Sequence, residues 1–392
     1  MFRFLTGGES HGPALTAMID GLPAGLELDF DEIDRQLKRR QGGYGRGGRQ
    51  KIEFDRVEIL SGVRFGKTMG GPITLLVRNR DFENWQDRMS ITAIDTPIPP
   101  IVEARPGHAD FAGMLKFDTD DLRNILERSS ARNTASLVAV GAMCRCLLTD
   151  LGIHVMSHVT TLGGIHVKLA RPVNYIEAER ISEKSSVRVA DPEIEKQILA
   201  AIDEAGERGD TLGGVFEVVA TGCLPGLGSH TNWDKRLDGR LAGALMGIQA
   251  IKGVEIGMGF GVSELPGSQV HDELFHDEVT GFTRTSNNAG GLEGGMTNGE
   301  PVVIRAAMKP ISTMKNALRS VNMQTKEASK AHYERSDITA VPAAGVIGEA
   351  MVSIILTEAV VEKFGGDSMT ELLRNFESYR VAIQVRGYSP AQ

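Results

Sequence analysis

The segment KRRQGGYGRGGRQK, residues 38–51, is the stretch around which we expect the fold to be arranged. It holds six cations, five glycines and no acid, in a chain of 392 residues whose formal net charge is −8. Without these six charges the rest of the chain carries −14, so positive charge is concentrated here against the overall composition. Glycine lets backbone N–H groups approach a ligand closely, and the planar arginine fork matches carboxylate and phosphate oxygens. The segment therefore predicts a site for a small, multiply charged anion.

Two other interpretations of this segment stay open at the level of the sequence. Arg/Gly segments that bind nucleic acid usually repeat, whereas this chain, with a pI near 5.7, has one copy, so we expect no nucleic-acid partner. The charges could also belong to a solvated loop. Gly43, Gly45 and Gly48 satisfy G-x-G-x-x-G, but a helical pattern precedes them and a strand-like pattern follows. Because a dinucleotide site needs the opposite order, we reject that interpretation.

The composition is that of a globular protein with enough apolar material for a large core: 41% of the residues are hydrophobic and 24% are charged. No linker or low-complexity tract divides the chain, and we interpret residues 1–392 as one domain, although the length also allows two. The N-terminal segment has neither a signal-peptide nor a transit-peptide pattern, and no membrane span is predicted, so we expect a cytoplasmic protein. Cys144, Cys146 and Cys223 form neither a disulfide framework nor a zinc quartet, so we predict no metal site.

Two histidines lie in short, rigid loops. His11 lies in the turn GGESHGP, residues 7–13, and His108 ends a proline-rich segment, three residues after Arg105. An imidazole that titrates near neutral pH suits proton transfer, although a loop histidine often bonds only to backbone. A cation beside an imidazole favours the neutral base unless an anion lies between them, and a phosphate would be such an anion.

Residues 127–134, ERSSARNT, predict a second anion site at the start of a helix that continues to Gly152. Serine caps, free N–H groups and arginine charge coincide there, although an ordinary N-cap with surface arginines would look the same. Further along, residues 309–313, KPIST, place a cation and two hydroxyls around a proline turn suited to a phosphate group.

The remaining pattern predicts mixed sheets and core helices. Apolar spacing predicts helices over residues 31–40, 120–128, 191–209, 235–252, 346–364 and 367–384, and strands over 51–60, 72–78, 152–169 and 301–308. In the 235–252 helix, glycine at every fourth position predicts a close contact with another helix, and the glycine-rich residues 287–299 suggest a backbone contact with a flat ligand. Three segments, GGPITLLV, GGVFEVVA and NGEPVVIRA, suggest repeated units at sheet edges.

Five motifs resemble the chorismate synthase family, in the family's order and across nearly the whole chain. They are GESHGPALTAMIDGLP (residues 8–23), RRQGGYGRGGR, ERSSARNT, EGGMTNG with KPIST, and RSDITAVPAAGVIGEAM (residues 335–351). The resemblance implies an α+β fold, a β-α-β sandwich with core helices between mainly antiparallel sheets, assembled as a homotetramer.

The same resemblance implies an activity: anti-1,4-elimination of phosphate from 5-enolpyruvylshikimate 3-phosphate to give chorismate, the last common step of the shikimate pathway. The cofactor implied is reduced FMN (FMNH2), with NADPH as an indirect reductant. A substrate with two carboxylates and a phosphate agrees with the cationic segments. The alternative is a non-catalytic binding protein for a phosphorylated metabolite.

The resemblance also implies roles for individual residues. His11 would protonate the reduced flavin, His108 would assist the departing phosphate, and Asp337 would act as a base through the flavin N5. Ser10 and Ser129 would tune these groups. The substrate-binding residues implied are Arg40, Arg46, Arg49, Arg105 and Arg132. The flavin-binding residues implied are Arg128, Ser129, Ser130, Gln249, Ala250, Gly294, Lys309, Pro310, Ile311, Ser312, Thr313 and Arg335.

Overall fold

A computed structural model describes residues 1–47, 54–169, 173–334 and 336–388. The strands are β1 (Arg3–Gly8), β2 (Ala14–Asp20), β3 (Val57–Ser61), β4 (Val63–Arg64), β5 (Lys67–Thr68), β6 (Ile73–Arg78), β7 (His154–Leu162), β8 (Ile165–His166), β9 (Gly214–Thr221), β10 (Ile251–Ile256), β11 (Leu274–Asp277), β12 (Gly281–Arg284), β13 (Leu292–Glu293), β14 (Met296–Thr297), β15 (Val302–Met308), β16 (Arg319–Val321) and β17 (Ala328–Lys330). The helices are α1 (Phe30–Gln41), α2 (Asp110–Phe117), α3 (Arg123–Ser129), α4 (Thr134–Asp150), α5 (Tyr175–Ser182), α6 (Pro192–Arg208), α7 (Leu237–Met246), α8 (Gly267–Val270), α9 (Val341–Phe364) and α10 (Met369–Val385).

Two antiparallel sheets enclose the central helices. One has four strands in the order β1-β2-β6-β3, and the other has five in the order β10-β15-β9-β7-β8. All strand pairs described within these two sheets are antiparallel. Helix α4 packs on the four-stranded sheet, α9 packs on the five-stranded sheet, and the two helices pack on each other. The predicted α+β class, with helices between mainly antiparallel sheets, is confirmed.

Helix α9 is apolar on nearly all sides because it lies in the middle of the molecule. It is long and apolar enough to cross a membrane, but most of it is buried inside the protein. A helix that is apolar all round is expected in a core that covers every face. Its length and composition therefore reflect its central position.

The helices α4 and α9 cross with their backbones close together. A Cβ atom built on Gly141 would lie 2.4 Å from the Cβ of Ala350 and 2.5 Å from its Cα. Only a residue without a side chain fits this crossing, since real Cβ atoms do not approach a neighbouring backbone so closely. The distance between the central helices is thus set by Gly141.

One buried carboxylate interrupts the apolar surface of α9. Glu349 pairs with Arg39 at 2.6 Å, Arg188 at 3.1 Å and Arg145 at 3.3 Å, and it accepts a hydrogen bond from Ser157 at 2.6 Å. Burial opposes the ionisation of Glu349, but the arginines outweigh it and lower its pKa to about 2. The carboxylate therefore joins α1, α4 and β7 to α9 through charged hydrogen bonds.

Several predicted elements are confirmed with small changes in their bounds. Helix α1 is capped by Asp29, and α6 begins at Pro192 after its cap Asp191. Gly209 ends α6 with φ +67°, the left-handed conformation that glycine adopts readily. The first part of the strand predicted over residues 51–60 lies outside the described residues, and β3 begins at Val57.

Two structural expectations from the sequence are wrong, those for the glycines of α7 and for the three repeated segments, and the ligand contact expected of residues 287–299 stays a prediction. Helix α7 packs through Leu237, Leu241 and Leu245, whereas nothing in the described chain lies within 4 Å of a Cβ built on Gly243, so its glycines make no close helix contact. Residues 287–299 include the hairpin β13–β14, and a Cβ on Gly290 would lie 2.4 Å from the backbone nitrogen of Gly257, so backbone packing explains that glycine. The three repeated segments form β6, β9 and β15, which are interior strands and not edges.

We predict that Gly141→Ala lowers the free energy of unfolding by about 1–3 kcal/mol, because the added methyl group pushes the central helices apart. Urea denaturation of the purified variant measures this change. The matched control is Gly243→Ala on α7, where the methyl group has space and we expect a gain of about 0.5–1 kcal/mol from helix propensity. Equal changes in the free energy of unfolding for the two substitutions would contradict the conclusion that Gly141 sets the distance between α4 and α9.

Candidate active site

A cavity of about 1000 Å³ opens beside the N-terminal end of α9. Eight parts of the chain contribute to its lining: residues 10–11, 40–47, 81–88, 105–109, 123–134, 248–250, 308–313 and 332–347. Among the described residues, seven cationic side chains line the cavity, Arg40, Arg46, Arg88, Arg105, Arg123, Arg132 and Lys309. Three carboxylates from the described parts of the chain line it, Asp81, Glu334 and Asp337. Such an excess of positive charge favours an anionic ligand.

His11 lies in the turn between β1 and β2 and is held by a carboxylate. Its Nδ1 lies 2.9 Å from Oε1 of Glu127, and its backbone N–H donates to Oε2 of Glu127 at 2.7 Å. Arg123 donates to the same carboxylate at 3.0 Å. Burial opposes the ionisation of Glu127, but the hydrogen bonds from His11 and Arg123 hold its pKa below its usual value. The ring of Trp85 covers His11, with 4.0 Å between the two ring centroids.

His108 and Arg105 share the buried carboxylate of Asp110. Arg105 donates to it at 2.8 and 2.9 Å, and Nδ1 of His108 lies 2.5 Å from Oδ1. Burial opposes the ionisation of Asp110, but His108 and Arg105 outweigh it and hold its pKa well below its usual range. Asp110 is therefore the anion that lies between Arg105 and His108 and allows both to carry a positive charge. Arg105 also donates to Oγ1 of Thr313 at 3.3 Å.

Arg40 and Arg132 lie on either side of Asp55, each 2.6 Å from one of its oxygens. Arg132 also donates to Oδ1 of Asn79 at 2.8 Å. Burial lowers the pKa of Arg40 to about 10 even though Asp55 raises it. Nε of Arg40 is buried without a hydrogen-bond partner among the described residues. A single buried carboxylate beside two guanidinium groups leaves positive charge for a ligand.

Asp337 is held at the cavity wall by the Arg/Gly segment. Its Oδ2 lies 3.2 Å from Arg46, and its Oδ1 accepts the backbone N–H of Gly47 at 2.6 Å. Close backbone approach explains the glycine, because a Cβ on Gly47 would lie 2.9 Å from the carbonyl oxygen of Ser336. Arg49 and Arg335, also expected in the site, lie outside the described residues.

Most of the residues expected to hold a flavin reach the same cavity. Ser129, Ser130, Gln249, Ala250, Lys309, Ile311, Ser312 and Thr313 line it, as does Ser10, which was expected to tune the catalytic groups. Ser10 donates to Oγ of Ser130 at 3.0 Å, whereas the hydroxyl of Ser129 donates to the carbonyl oxygen of Ile125 in its own helix at 2.8 Å. Oε1 of Gln249 is buried without a hydrogen-bond partner among the described residues, so it is an acceptor suited to a ligand N–H. Lys309 donates to the carbonyl oxygen of Gly107.

Three expected residues are not among those that line the cavity. Gly294 lies in the turn of the β13–β14 hairpin. Pro310 does not line the cavity, although Lys309 and Ile311 on either side of it do. The guanidinium group of Arg128 donates to the carbonyl oxygens of Thr6 and Gly8 at 2.9 and 3.1 Å, so it fixes the strand before His11. The flavin-binding role expected of Arg128 stays a prediction.

Sequence reasoning missed Glu127, Asp110, Asp55 and Trp85. Asp110 had a local signal, since it follows His108 by two residues, and Glu127 is the first letter of the ERSSARNT motif. Asp55 and Trp85 had none, because their partners lie at residues 132 and 11. A carboxylate such as Asp55 can be assigned to its arginine partner only from the folded structure, because the two residues are far apart in the sequence.

Glu334 connects the C-terminal wall of the cavity to α3. It pairs with Arg123 at 2.9 Å, and His332 lies 3.6 Å away. Burial opposes its ionisation, but His332 and Arg123 outweigh this effect and lower its pKa to about 2. The stabilisation is therefore complete above pH 4.5, the ordinary value for Glu, and is lost as the pH falls toward 2.

We predict that Glu334→Gln makes the free energy of unfolding less dependent on pH between pH 5 and pH 2, by about 2 kcal/mol over that interval. Urea denaturation at a series of pH values measures the slope. The control is Glu377→Gln in the exposed pair with Arg380, for which we expect the slope of the unsubstituted protein. An unchanged slope in Glu334→Gln would show that Glu334 does not stabilise the folded chain in this way.

Comparison of the sequence with known proteins identifies the same family that the site residues suggest. The family model described as chorismate synthase matches residues 2–361. A chorismate synthase from Aquifex aeolicus (strain VF5) is 54% identical over 385 residues, which cover 96% of this chain and 97% of that protein. A chorismate synthase from Enterococcus faecalis (strain ATCC 700802 / V583) is 52% identical over 385 residues, covering 97% and 99%.

A solved structure gives the same result for the fold. The structure titled "Crystal Structure of Chorismate Synthase" superposes with a TM-score of 0.79 at 44% sequence identity, and the match covers 98% of each chain. Sequence and fold thus agree over nearly the full length. The chain belongs to the chorismate synthase family of enzymes, carbon–oxygen lyases of the shikimate pathway for aromatic amino acids.

Proposed function

We propose that the chain eliminates phosphate from 5-enolpyruvylshikimate 3-phosphate in an anti-1,4 sense to give chorismate, with reduced FMN as the cofactor. The observation that supports this most is the meeting of His11, His108 and Asp337 with cationic side chains in one cavity. A substrate with two carboxylates and a phosphate needs several fixed positive charges, and these side chains supply them.

The cavity residues fit a flavin with a phosphate tail. A volume of about 1000 Å³ is at the upper end for small-molecule sites, so cofactor and substrate have space together. Gln249 offers a buried acceptor, and Ala250 has φ +67°, a strained conformation for a residue with a side chain. Lys309, Ser312 and Thr313 offer a cation and two hydroxyls. Reduced FMN, when bound, would lend electron density to the substrate and recover it within one turnover, which agrees with no net redox change.

The cavity arginines would bind the substrate as a pre-organised set. Arg40 and Arg132 are fixed by Asp55, Arg105 is fixed by Asp110, and Arg46 is fixed by Asp337. Each guanidinium group uses part of its hydrogen-bonding fork on a protein carboxylate and keeps a positive charge toward the cavity. Because the side chains are already ordered, binding the substrate costs little rotamer entropy.

Three groups would manage the protons. His108 would donate to the departing phosphate, held in place by Asp110. Asp337 would take up the proton that the substrate ring loses, and the backbone N–H of Gly47 fixes its carboxylate. His11 would hold a proton on the nitrogen opposite Glu127. One proton and one phosphate leave the substrate, so the elimination is balanced.

Other properties that the sequence or the resemblance leads us to expect stay predictions. They are a single domain, a homotetramer, a cytoplasmic location, NADPH as an indirect reductant of the flavin, and no nucleic-acid or membrane partner. The roles of the individual site residues, including Gly294, Arg49 and Arg335, stay predictions as well.

The proposed reaction is tested by mixing the protein anaerobically with dithionite-reduced FMN and 5-enolpyruvylshikimate 3-phosphate. We expect equal amounts of phosphate and chorismate, and neither without reduced FMN. Binding of the substrate without turnover would instead show a binding protein for a phosphorylated metabolite. Salt-sensitive binding of RNA would point to the nucleic-acid interpretation of the Arg/Gly segment.

We predict that His108→Ala lowers kcat about 100-fold or more while the Kd of FMN changes little, because the imidazole acts on the leaving phosphate. Turnover and flavin titration are measured on the same preparation. The matched control is His154→Ala, which removes the exposed histidine paired with Glu179, and we expect it to leave both values unchanged. An FMN affinity that falls as much as the rate would contradict the assignment of His108.

A further inference from the structure

We propose that Glu127 is a positioning residue for His11: it keeps the proton of the neutral imidazole on Nδ1, so that Nε2 serves the cavity, and it balances the charge of the imidazolium. This inference rests on the proposed function, in which His11 is a proton donor. It starts from the contacts between the two residues, Nδ1 to Oε1 at 2.9 Å and backbone N–H to Oε2 at 2.7 Å.

Two hydrogen bonds to Glu127 restrict the orientation and the protonation of the His11 ring more than one would. The backbone N–H can only donate, so Oε2 of Glu127 must accept, and the carboxylate plane is fixed relative to the turn. An ionised Oε1 can then only accept from Nδ1, which must carry the proton. Because Nδ1–H is used in this way, a proton that His11 exchanges with a ligand would have to pass through Nε2.

The surroundings keep Glu127 ionised and in place. Its side chain is 3% exposed, and Arg123 donates to it from the preceding turn of the same helix. Arg123 is itself held at 2.9 Å by Glu334 and lies with its guanidinium carbon 4.9 Å from the centre of the Trp85 ring. A buried carboxylate with two charge-assisted donors stays ionised through the neutral range.

The charged groups around His11 come from three parts of the described chain. Helix α3 supplies Glu127 and Arg123, and the segment that carries Trp85 supplies Asp81 and Arg88. The turn of His11 itself carries Glu9, which packs beside Gly12. Asp81 accepts from Nε1 of Trp85 at 3.2 Å, and Arg88 lies over the same ring. Of these groups, Glu127 is the one whose carboxylate contacts Nδ1 of the imidazole, at 2.9 Å, so we expect a change in Glu127 to alter the tautomer of His11.

A purely structural role for Glu127 is the competing explanation, since the carboxylate also fixes the turn through the backbone of His11. The two explanations differ in what they predict for the ring. A structural role changes stability and leaves the tautomer and the pH profile as they are. A positioning role changes both even where the protein stays folded.

The test uses the full chain with ¹⁵N-labelled histidine, and the imidazole signals of His11 are assigned by their loss in His11→Ala. In the unsubstituted protein we expect neutral His11 to carry its proton on Nδ1. An Nε2–H tautomer would overturn the inference, whatever the variants do. This readout does not depend on turnover, so it separates a failure here from a failure of the proposed function.

The variant is Glu127→Gln, which keeps the size of the side chain and removes its charge. We expect a mixture of tautomers at His11. We also expect the limb of the kcat profile that falls at high pH to move to lower pH, because the imidazolium has lost its counter-ion. At pH values well above that limb, kcat should fall about tenfold for each unit of the shift, while KM stays nearly constant. Glu127→Asp keeps the charge and should restore part of the profile.

The matched control is Glu179→Gln, which changes the exposed pair of Glu179 with His154 at 2.9 Å. We expect it to leave the tautomer of His11 and the kcat profile unchanged. An unchanged tautomer and an unchanged profile in Glu127→Gln, with circular dichroism showing a folded protein, would reduce Glu127 to a structural role and overturn the inference. The tautomer of the unsubstituted protein decides the question if Glu127→Gln does not fold.

Discussion

The close crossing of α4 and α9 is the constraint on which the rest of the structure depends. Because Gly141 lets the two backbones meet, each helix can bury its other side against a different sheet. The N-terminal ends of both helices then lie beside the same cavity, where α4 follows the ERSSARNT motif and α9 follows Asp337. Glu349 adds a charged connection to α1, which carries Arg39 in the core and Arg40 in the cavity. The packing of α4 against α9 in the core therefore also determines where the residues of the anion site lie.

The site uses carboxylates to order its cations. Asp55, Asp110 and Glu127 are buried behind the wall, and each holds two cationic or imidazole groups. Burying a charge is unfavourable unless it is paired and hydrogen-bonded, and these pairs meet that condition. The arrangement lowers the net charge around the cavity, which reduces repulsion among the arginines, and it fixes their orientation. A polyanion then meets side chains that are already in position.

Much of this was predictable from local patterns, and the rest was not, for physical reasons. Helix bounds followed from caps such as Asp191 and from apolar spacing, and the family motifs placed the residues that line the cavity. The spacing of the glycines in α7 shows that another helix could approach closely, but it does not show that such a helix lies there, and none in the described chain lies against Gly243. The carboxylate partners were missed because a pair such as Asp55 with Arg132 joins residues 77 positions apart, and such contacts leave no periodic signal. Gly141, the residue that sets the helix crossing, looks like any other small residue in an apolar helix.

The position of Trp85 has a practical consequence. The chain has two tryptophans, and the other, Trp233, is 86% exposed, whereas Trp85 lies against the imidazole of His11 at the cavity wall. Indole emission is quenched by a protonated imidazole in contact with it, and Arg88 and Arg123 lie on the same ring. Intrinsic fluorescence should therefore divide into a constant solvent-exposed component and one that reports ligand entry and the charge of His11. The protein carries its own optical probe of the site, usable without any label.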